Sequence, residues 1–491
     1  MLFKAQARIL IFLPALVAYS SSAFAEKPAP ILVTGWPLPS NEAQKAILSN
    51  DAIMESLVCP SLTRLNLAKR SSEPLLLEKV EEADKVWRFT LASDLTWWDQ
   101  SAVTMADLEI FVRETLQPQQ LTQGRFAWTV PEYTLASKDR TLSIQWAQKP
   151  GFGPYVFNEH PFRKKTNAGL GVQCAGNWRV EPRTAGLLLQ DLRGEGKNDI
   201  LLSTDPKAKA ANGERLLSFA FGEEMPGADS KKPITQSLRC ERPLDTPIMT
   251  VIAWNPEGAT TRDPRFRRAI THLTPRGALL RAGAGSMGDL ISGPILRAHP
   301  GYKRTLLVPA YDPAKSDAML NEMGYRRLEE DGFRRDAQGK LLEVRILARD
   351  HEGSTLLRKV LDDSFRALGI KLRFINEGEG VPDGLLTGIL TSWPDGDLSQ
   401  HLHSRVSGKN WPWSWKDQSL DQALEAYALS LTQRNPNFTL LEKIHELVYK
   451  LEPFSVLMQH RVCLEARLNQ SRGKGEIIVR NPDWFRQLIG L

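Results

Sequence analysis

The chain has 491 residues, 42% of them hydrophobic and 24% charged, with a formal net charge of +6. Such a composition excludes a disordered or collagen-like chain, and the length exceeds what a single core usually holds. The positive excess is spread along the sequence without dense basic tracts, which excludes the usual pattern of a nucleic-acid binder.

Lys4 and Arg8 precede an apolar run from Ile9 to Ala18, and Ala23-Phe24-Ala25 offers a small-residue cleavage site before Glu26. This is the pattern of a secretory signal peptide over residues 1–25, with an apolar run too short to anchor in a bilayer. No cysteine sits just after the cleavage point, so no lipid anchor is expected. The mature protein is expected to be periplasmic, exported and soluble, and near +4 after loss of Lys4 and Arg8. An oxidising compartment permits disulfides among Cys59, Cys174, Cys240 and Cys463. Four cysteines allow three pairings. Cys174–Cys240 is preferred because both fall in the same half, and buried free thiols are the alternative.

Ile31–Gly35 reads as the first buried strand and Ala43–Val58 as a helix. Trp87, Phe89 and Leu91 alternate with Arg88 and Thr90, the period-two pattern of a half-buried strand. Thr104 stands three residues before Asp107 as an N-cap pair, and Leu108, Phe111, Val112 and Leu116 follow at helical spacing. Leu142–Trp146 is another strand, and Gly213–Pro233 reads as a polar surface excursion. Ile248–Asn255 is a long apolar strand leading to a helix from Asp263 to Ile270. Arg265, Arg267 and Arg268 are placed on the outer face of that helix, with an anion site as the other reading. Met319, Leu320 and Met323 share one side of a helix stopped by Gly324. Strand Leu342–Ala348, helix Leu356–Leu368 and strand Ile370–Ile375 then alternate as in an α/β lobe. Two amphipathic helices, Leu420–Leu431 and Leu440–Leu451, lead to a last strand at Pro453–Arg461.

Enzyme motifs are scarce. Gly283-Ala284-Gly285-Ser286-Met287-Gly288 has the G-x-G-x-x-G spacing, but it follows a helical pattern where a dinucleotide turn needs a strand. Walker A, H-E-x-x-H and G-x-S-x-G sequences are missing from the chain. An enzyme is not expected, and no cofactor is implied.

Several stretches in order carry a resemblance. Leu57–Leu65, the strand Phe89-Thr90-Leu91, Trp98-Asp99 and Val103–Leu108 follow one another in the first part. Cys174-Ala175-Gly176-Asn177-Trp178, Asp263–Ile270 and Tyr311–Tyr325 follow later. This series resembles the family 5 extracellular solute-binding proteins, the peptide- and nickel-binding receptors of bacterial ABC importers. Gly-Asn-Trp stands where that family has Gly-Pro-Tyr, and Gln100-Ser101 where it has Asp-Gly.

The resemblance implies an α/β, type II periplasmic-binding-protein fold of two lobes joined by a hinge, with an enlarged first lobe. Residues 26–250 would form the first lobe, 455–491 would return to it, and 251–454 would form the second. It also implies a monomeric receptor that hands a short peptide from the interlobe cleft to the membrane subunits of an ABC transporter. Asp395 or Asp397, in Trp393-Pro394-Asp395-Gly396-Asp397, would hold the peptide amino terminus, though the same residues make a good turn. Trp36, Trp393 and Trp413 would be cleft walls. Trp411, Trp413 and Trp415 equally suit a loop anchored on the core. A nickel-chelate receptor using His401 or His403, a member without a transport role and an unrecognised hydrolase are the alternatives.

Overall fold

The computed structural model describes residues 31–34, 59–117, 130–166, 172–176, 178–183, 186–192, 199–203, 216–221, 242–284, 288–348, 355–390, 396–405, 413 and 415–467. Residues 1–25, the expected helix Ala43–Val58, and Trp36, Trp393 and Asp395 lie outside them.

β1 (Ile31–Thr34) forms where the first apolar run predicts a strand. A short hairpin follows, β2 (Thr63–Asn66) and β3 (Ser71–Pro74), and then β4 (Leu77–Ala83) and β5 (Val86–Leu91). The alternation read in β5 is real: Trp87, Phe89 and Leu91 are buried. α1 (Met105–Thr115) starts with a full capping box, in which the Thr104 hydroxyl and the Asp107 carboxylate each bond the other's backbone N–H. Such a cap contributes about 1 kcal/mol. α1 turns Leu108, Phe111 and Val112 into the core. β6 (Tyr133–Lys138) and β7 (Thr141–Trp146) complete an antiparallel sheet in the order β4-β5-β7-β6. Its apolar face, α1 and the 3-10 turn Pro154–Glu159 enclose a core rich in aromatic rings. Trp87 packs edge-on against Trp146 at 4.8 Å and against Phe152 at 5.7 Å.

β8 (Arg163–Lys165) and β9 (Val172–Cys174) form a second hairpin, and it settles one cysteine. Cys174 is bonded to Cys59, not to Cys240, with Cα atoms 5.0 Å apart. The reason lies in the ladder. Phe162 N–H donates to Pro60 O and Ala175 N–H to Phe162 O, which sets the chain around Cys59 beside the end of β9. Sequence distance is a poor guide here, since 115 residues separate the partners.

β10 (Trp178–Arg183), β11 (Gly186–Asp191) and β12 (Ile200–Ser203) run out from that hairpin into the main sheet. β13 (Leu216–Phe221) falls inside the stretch expected to be a surface excursion. Its six residues, LLSFAF, are a short apolar run that the surrounding polar turns mask in the sequence. β1 pairs parallel with both β12 and β13.

The second half begins with β14 (Arg242–Trp254), α2 (Pro264–Leu273), α3 (Arg276–Ala284) and the two-residue β15 (Gly288–Asp289). The glycine-rich stretch begins inside α3, which runs to Ala284, and Gly285, Ser286 and Met287 lie outside the described residues. α4 (Pro313–Glu322) buries Leu320, with Met319 and Met323 packed beside it. β16 (Arg326–Arg327) and β17 (Arg334–Arg335) make a small hairpin. β18 (Glu343–Leu347), α5 (Thr355–Ala367), β19 (Lys371–Ile375) and β20 (Gly384–Leu390) give the predicted alternation, with β18 parallel to both β19 and β20. The short α6 (Ser399–Leu402) precedes α7 (Gln418–Leu431) and α8 (Phe438–Leu451), and β21 (Phe454–Arg467) closes the series.

One sheet gathers β10-β11-β12-β1-β13-β21-β14-β20-β18-β19, with β15 on the edge of β21. Two separate cores result. The first draws on residues between Leu62 and Ala175. The second draws on residues between Met249 and Met458, and Leu65 of β2 joins it.

Candidate functional site

Beyond β14 and before β21, the chain builds the second core, so these two antiparallel strands carry it there and back. Arg242–Asp245 pairs with Leu464–Arg461, and Met249–Ala253 with Gln459–Phe454. Between those blocks Thr246, Pro247 and Ile248 face the single residue His460. Proline has no N–H for a ladder, so a bulge is a natural place for it. Side chains hold the bulge in shape. The Thr246 hydroxyl donates to His460 O at 2.8 Å, Gln459 donates to Thr246 O at 3.3 Å, and His460 Nε2 lies 2.7 Å from the Thr250 hydroxyl. Burial pushes the His460 imidazole down to about 4, so it is neutral there at pH 7.

On its other edge β21 pairs with β13 as far as Val462 and with β15 from His460. Arg461 stands at that change of partner. Its guanidinium meets Asp245 at 2.6 Å and Asp289 at 3.5 Å, and Asp289 also faces Arg297 at 3.6 Å. Charges from β14, β15 and β21 thus converge where the sheet changes partners.

The root of β21 holds a second polar group. Arg267 and Arg276, placed by α2 and α3, are 2% and 4% exposed. Arg267 is therefore not on the outer face expected of it. Its guanidinium donates to Thr261 O, Leu451 O and Glu452 O, and it lies 5.0 Å from the Trp415 ring. Arg276 donates to Val456 O, Thr271 O and Pro309 O. Desolvation lowers both to about 10, still charged. Glu452 has left-handed backbone, φ 47°, and its carboxylate meets Arg268 Nε at 3.0 Å. Burial outweighs the arginines and raises Glu452 to about 7. Side chains already committed to backbone carbonyls position the chain and offer no anion site. Sequence reading missed Glu452, for which only the end of helix α8 gave a cue.

The histidines are also committed. Arg405 N–H donates to His403 Nδ1 at 3.1 Å, which leaves the proton on Nε2, 3.3 Å from Glu425. His403 is buried, and both ring nitrogens serve the joint between its loop and α7. His401 lies beside Phe454, with ring centres 6.5 Å apart. Among the described residues no group of three or more His, Cys, Asp or Glu side chains is placed to hold a metal.

Ser292 and His445 come within 3.4 Å, the spacing of a nucleophile and its base. Lys303 N–H, however, donates to His445 Nδ1 at 3.1 Å, so Nε2 carries the proton and cannot take one from Ser292. Burial lowers His445 to about 4. An imidazole held neutral when folded takes up its proton more readily when unfolded, so stability drains away as pH falls from about 6.5 towards 4. The His445 share is on the order of 3 kcal/mol at the acid end. Urea unfolding at pH 7 and pH 4.5 should show that loss, and His445→Gln should reduce it.

Of the expected cleft residues, Asp397 and Trp413 are described. Asp397 is 2% exposed and accepts from the Ser399 N–H at 2.9 Å and the Ser399 hydroxyl at 2.5 Å, at the start of α6. The preceding Gly396 has φ +71°, and a Cβ there would sit 2.9 Å from Leu441. Trp413 is half-buried against the second core and Trp415 is buried.

Residues 205–438 match the family model described as bacterial extracellular solute-binding proteins, family 5 Middle. Residues 205–438 thus belong to the family 5 extracellular solute-binding proteins. The matched family is one of solute-binding proteins and not of enzymes. No curated protein matches it. Solved structures share the mixed α/β fold of family 5 over most of the chain. NikA from Brucella suis in complex with Fe(III)-EDTA is 16% identical with a TM-score of 0.69, covering 93% of this chain and 99% of its own. The periplasmic oligopeptide-binding protein of an oligopeptide ABC transporter from Thermotoga maritima is 15% identical with a TM-score of 0.67, covering 95% and 98%. The oligopeptide-binding protein AppA from Bacillus subtilis, in complex with a nonapeptide, is 12% identical with a TM-score of 0.56, covering 89% and 94%. No helix among the described residues is long and apolar enough to cross a membrane.

Proposed function

We propose that the chain is the exported receptor of an ABC importer for short peptides. Residues 26–250 with 455–491 form one lobe, residues 251–454 form the other, and peptide is held between them. The observation that carries this reading is the two-strand crossing. Two cores joined by β14 and β21, with three residues bulged against one at the middle, suit closure about a ligand. The oligopeptide receptors of similar fold support a peptide as cargo. His403 is engaged in its own loop, which weakens a direct histidine–metal site.

Asp395 is the better anchor for the peptide amino terminus. The Asp397 carboxylate is buried and takes two bonds from Ser399, so it serves the turn into α6. Trp36, Trp393 and Trp413 serve as walls. Asp395→Asn should weaken peptide binding by about 10- to 100-fold, the usual worth of a hydrogen-bonded charge pair, and leave the melting temperature unchanged. Asp397→Asn should instead lower the melting temperature. Native mass spectrometry of protein from the exported fraction tests the cargo itself. Co-purified peptides of a few residues support the reading, and a retained metal chelate overturns it in favour of the NikA-like alternative.

A further inference from the structure

The two cores meet at a second place, far along the chain from the β14–β21 crossing. α7 ends at Thr432, whose hydroxyl donates to Leu429 O and accepts the Gly153 N–H at 2.8 Å. Tyr155 N–H donates to Thr432 O at 3.0 Å, and Ser72 N–H donates to Arg434 O at 2.6 Å. Three backbone donors, from β3 and the entry to the 3-10 turn, thus land on the corner between α7 and α8. Asn158 ties the two donor segments together through the Ser72 hydroxyl at 2.9 Å. Gly153 is required by this approach, since a Cβ there would lie 2.3 Å from Thr432 O and 2.7 Å from the Gln433 amide.

We infer that this corner is a clasp, closed when the two lobes are together and released when they part. The inference rests on the receptor reading above, because it needs two lobes that move. The described chain joins the halves covalently through β14 and β21, so rotation about their bulge must carry the α7–α8 corner relative to whatever the first half holds against it. The contact is of a kind that can release. Among the described residues it includes three hydrogen bonds that water can replace, two to main-chain carbonyls and one to the Thr432 hydroxyl, and one buried apolar residue of the first half, Leu65, in the second core, with Leu67 alongside. Interfaces of that size and polarity between parts of one chain permit relative motion, whereas either core alone does not. The clasp then sets the balance between open and closed receptor before any ligand arrives, and its strength is part of the receptor's apparent affinity.

The test needs no ligand. In the full-length mature protein, Gly153→Ala should raise the radius of gyration seen by small-angle X-ray scattering. Gly151→Ala, where an added Cβ meets nothing within 4 Å, should leave it unchanged. Thr432→Val, which keeps the side-chain shape but removes the hydroxyl, should expand the molecule in the same direction and guards against a folding defect in Gly153→Ala. In the wild type, the amides of Ser72, Gly153 and Tyr155 should exchange with deuterium at least tenfold faster than those of β5 and β7 in the same half. Equal protection of those amides, together with unchanged scattering from both variants, overturns the clasp and makes the corner a permanent joint. A failure to retain any peptide would count against the cargo assignment and leave these readouts as they are.

Discussion

Replacing Cys59 and Cys174 together by serine is expected to cost about 2–5 kcal/mol of stability. The bond closes a loop of 115 residues in sequence, which contains all of β2 to β8 and α1. Cross-links over loops of that length remove much of the freedom of the unfolded chain, placing this one towards the upper end of the range. The first half depends on it more than the second, because its core is the smaller and its sheet has four short strands. Urea denaturation with and without reductant, followed by tryptophan fluorescence, checks the effect. Trp87, Trp97 and Trp146 are buried in that half and report on it directly. A midpoint unmoved by reduction would show that the aromatic packing alone suffices.

Arg276→Ala is expected to be comparably severe, about 3–5 kcal/mol, because it strips the partner from three buried carbonyls and a charge from beside Glu452. Val456, Thr271 and Pro309 belong to β21, α2 and the segment before α4, so one guanidinium binds three parts of the second half together. Arg276→Lys should recover little, since an ammonium on a flexible stem does not reproduce the planar fork. Chemical denaturation of both variants, read against Arg265→Ala, makes the comparison. Arg265 is exposed and pairs with Asp263 on the surface, so its removal should leave the midpoint in place.

Much of the fold is legible in the sequence where the signal is local. The alternation of Trp87, Phe89 and Leu91, the Thr104–Asp107 cap and the strand–helix–strand run from Glu343 to Ile375 all appear as read. What failed needed long-range information. β13 is six residues long, and its place beside β1 and β21 is fixed by partners distant in sequence. Cys59 and Cys174 are brought together by the β8–β9 hairpin and the ladder at Phe162. Arg267 looks like one more surface arginine beside Arg265 and Arg268, and only the carbonyls at the end of α8 explain why it is buried. The binding residues were less legible still. Trp393-Pro394-Asp395-Gly396-Asp397 satisfies both a turn and a ligand motif, and the bonds from Ser399 are what distinguish the role of Asp397.

The place of β21 bears on how the protein is made. It lies between β13 and β14 in the middle of the main sheet, yet it is the last of the described strands in sequence. While a ribosome is still producing α7 and α8, the two parts of that sheet have no strand to join them, and the edges of β13 and β14 stand open. Long-range pairings of this kind form slowly, since the loop between the partners must close first. The separate first core can form early, but the main sheet cannot complete its centre until β21 emerges.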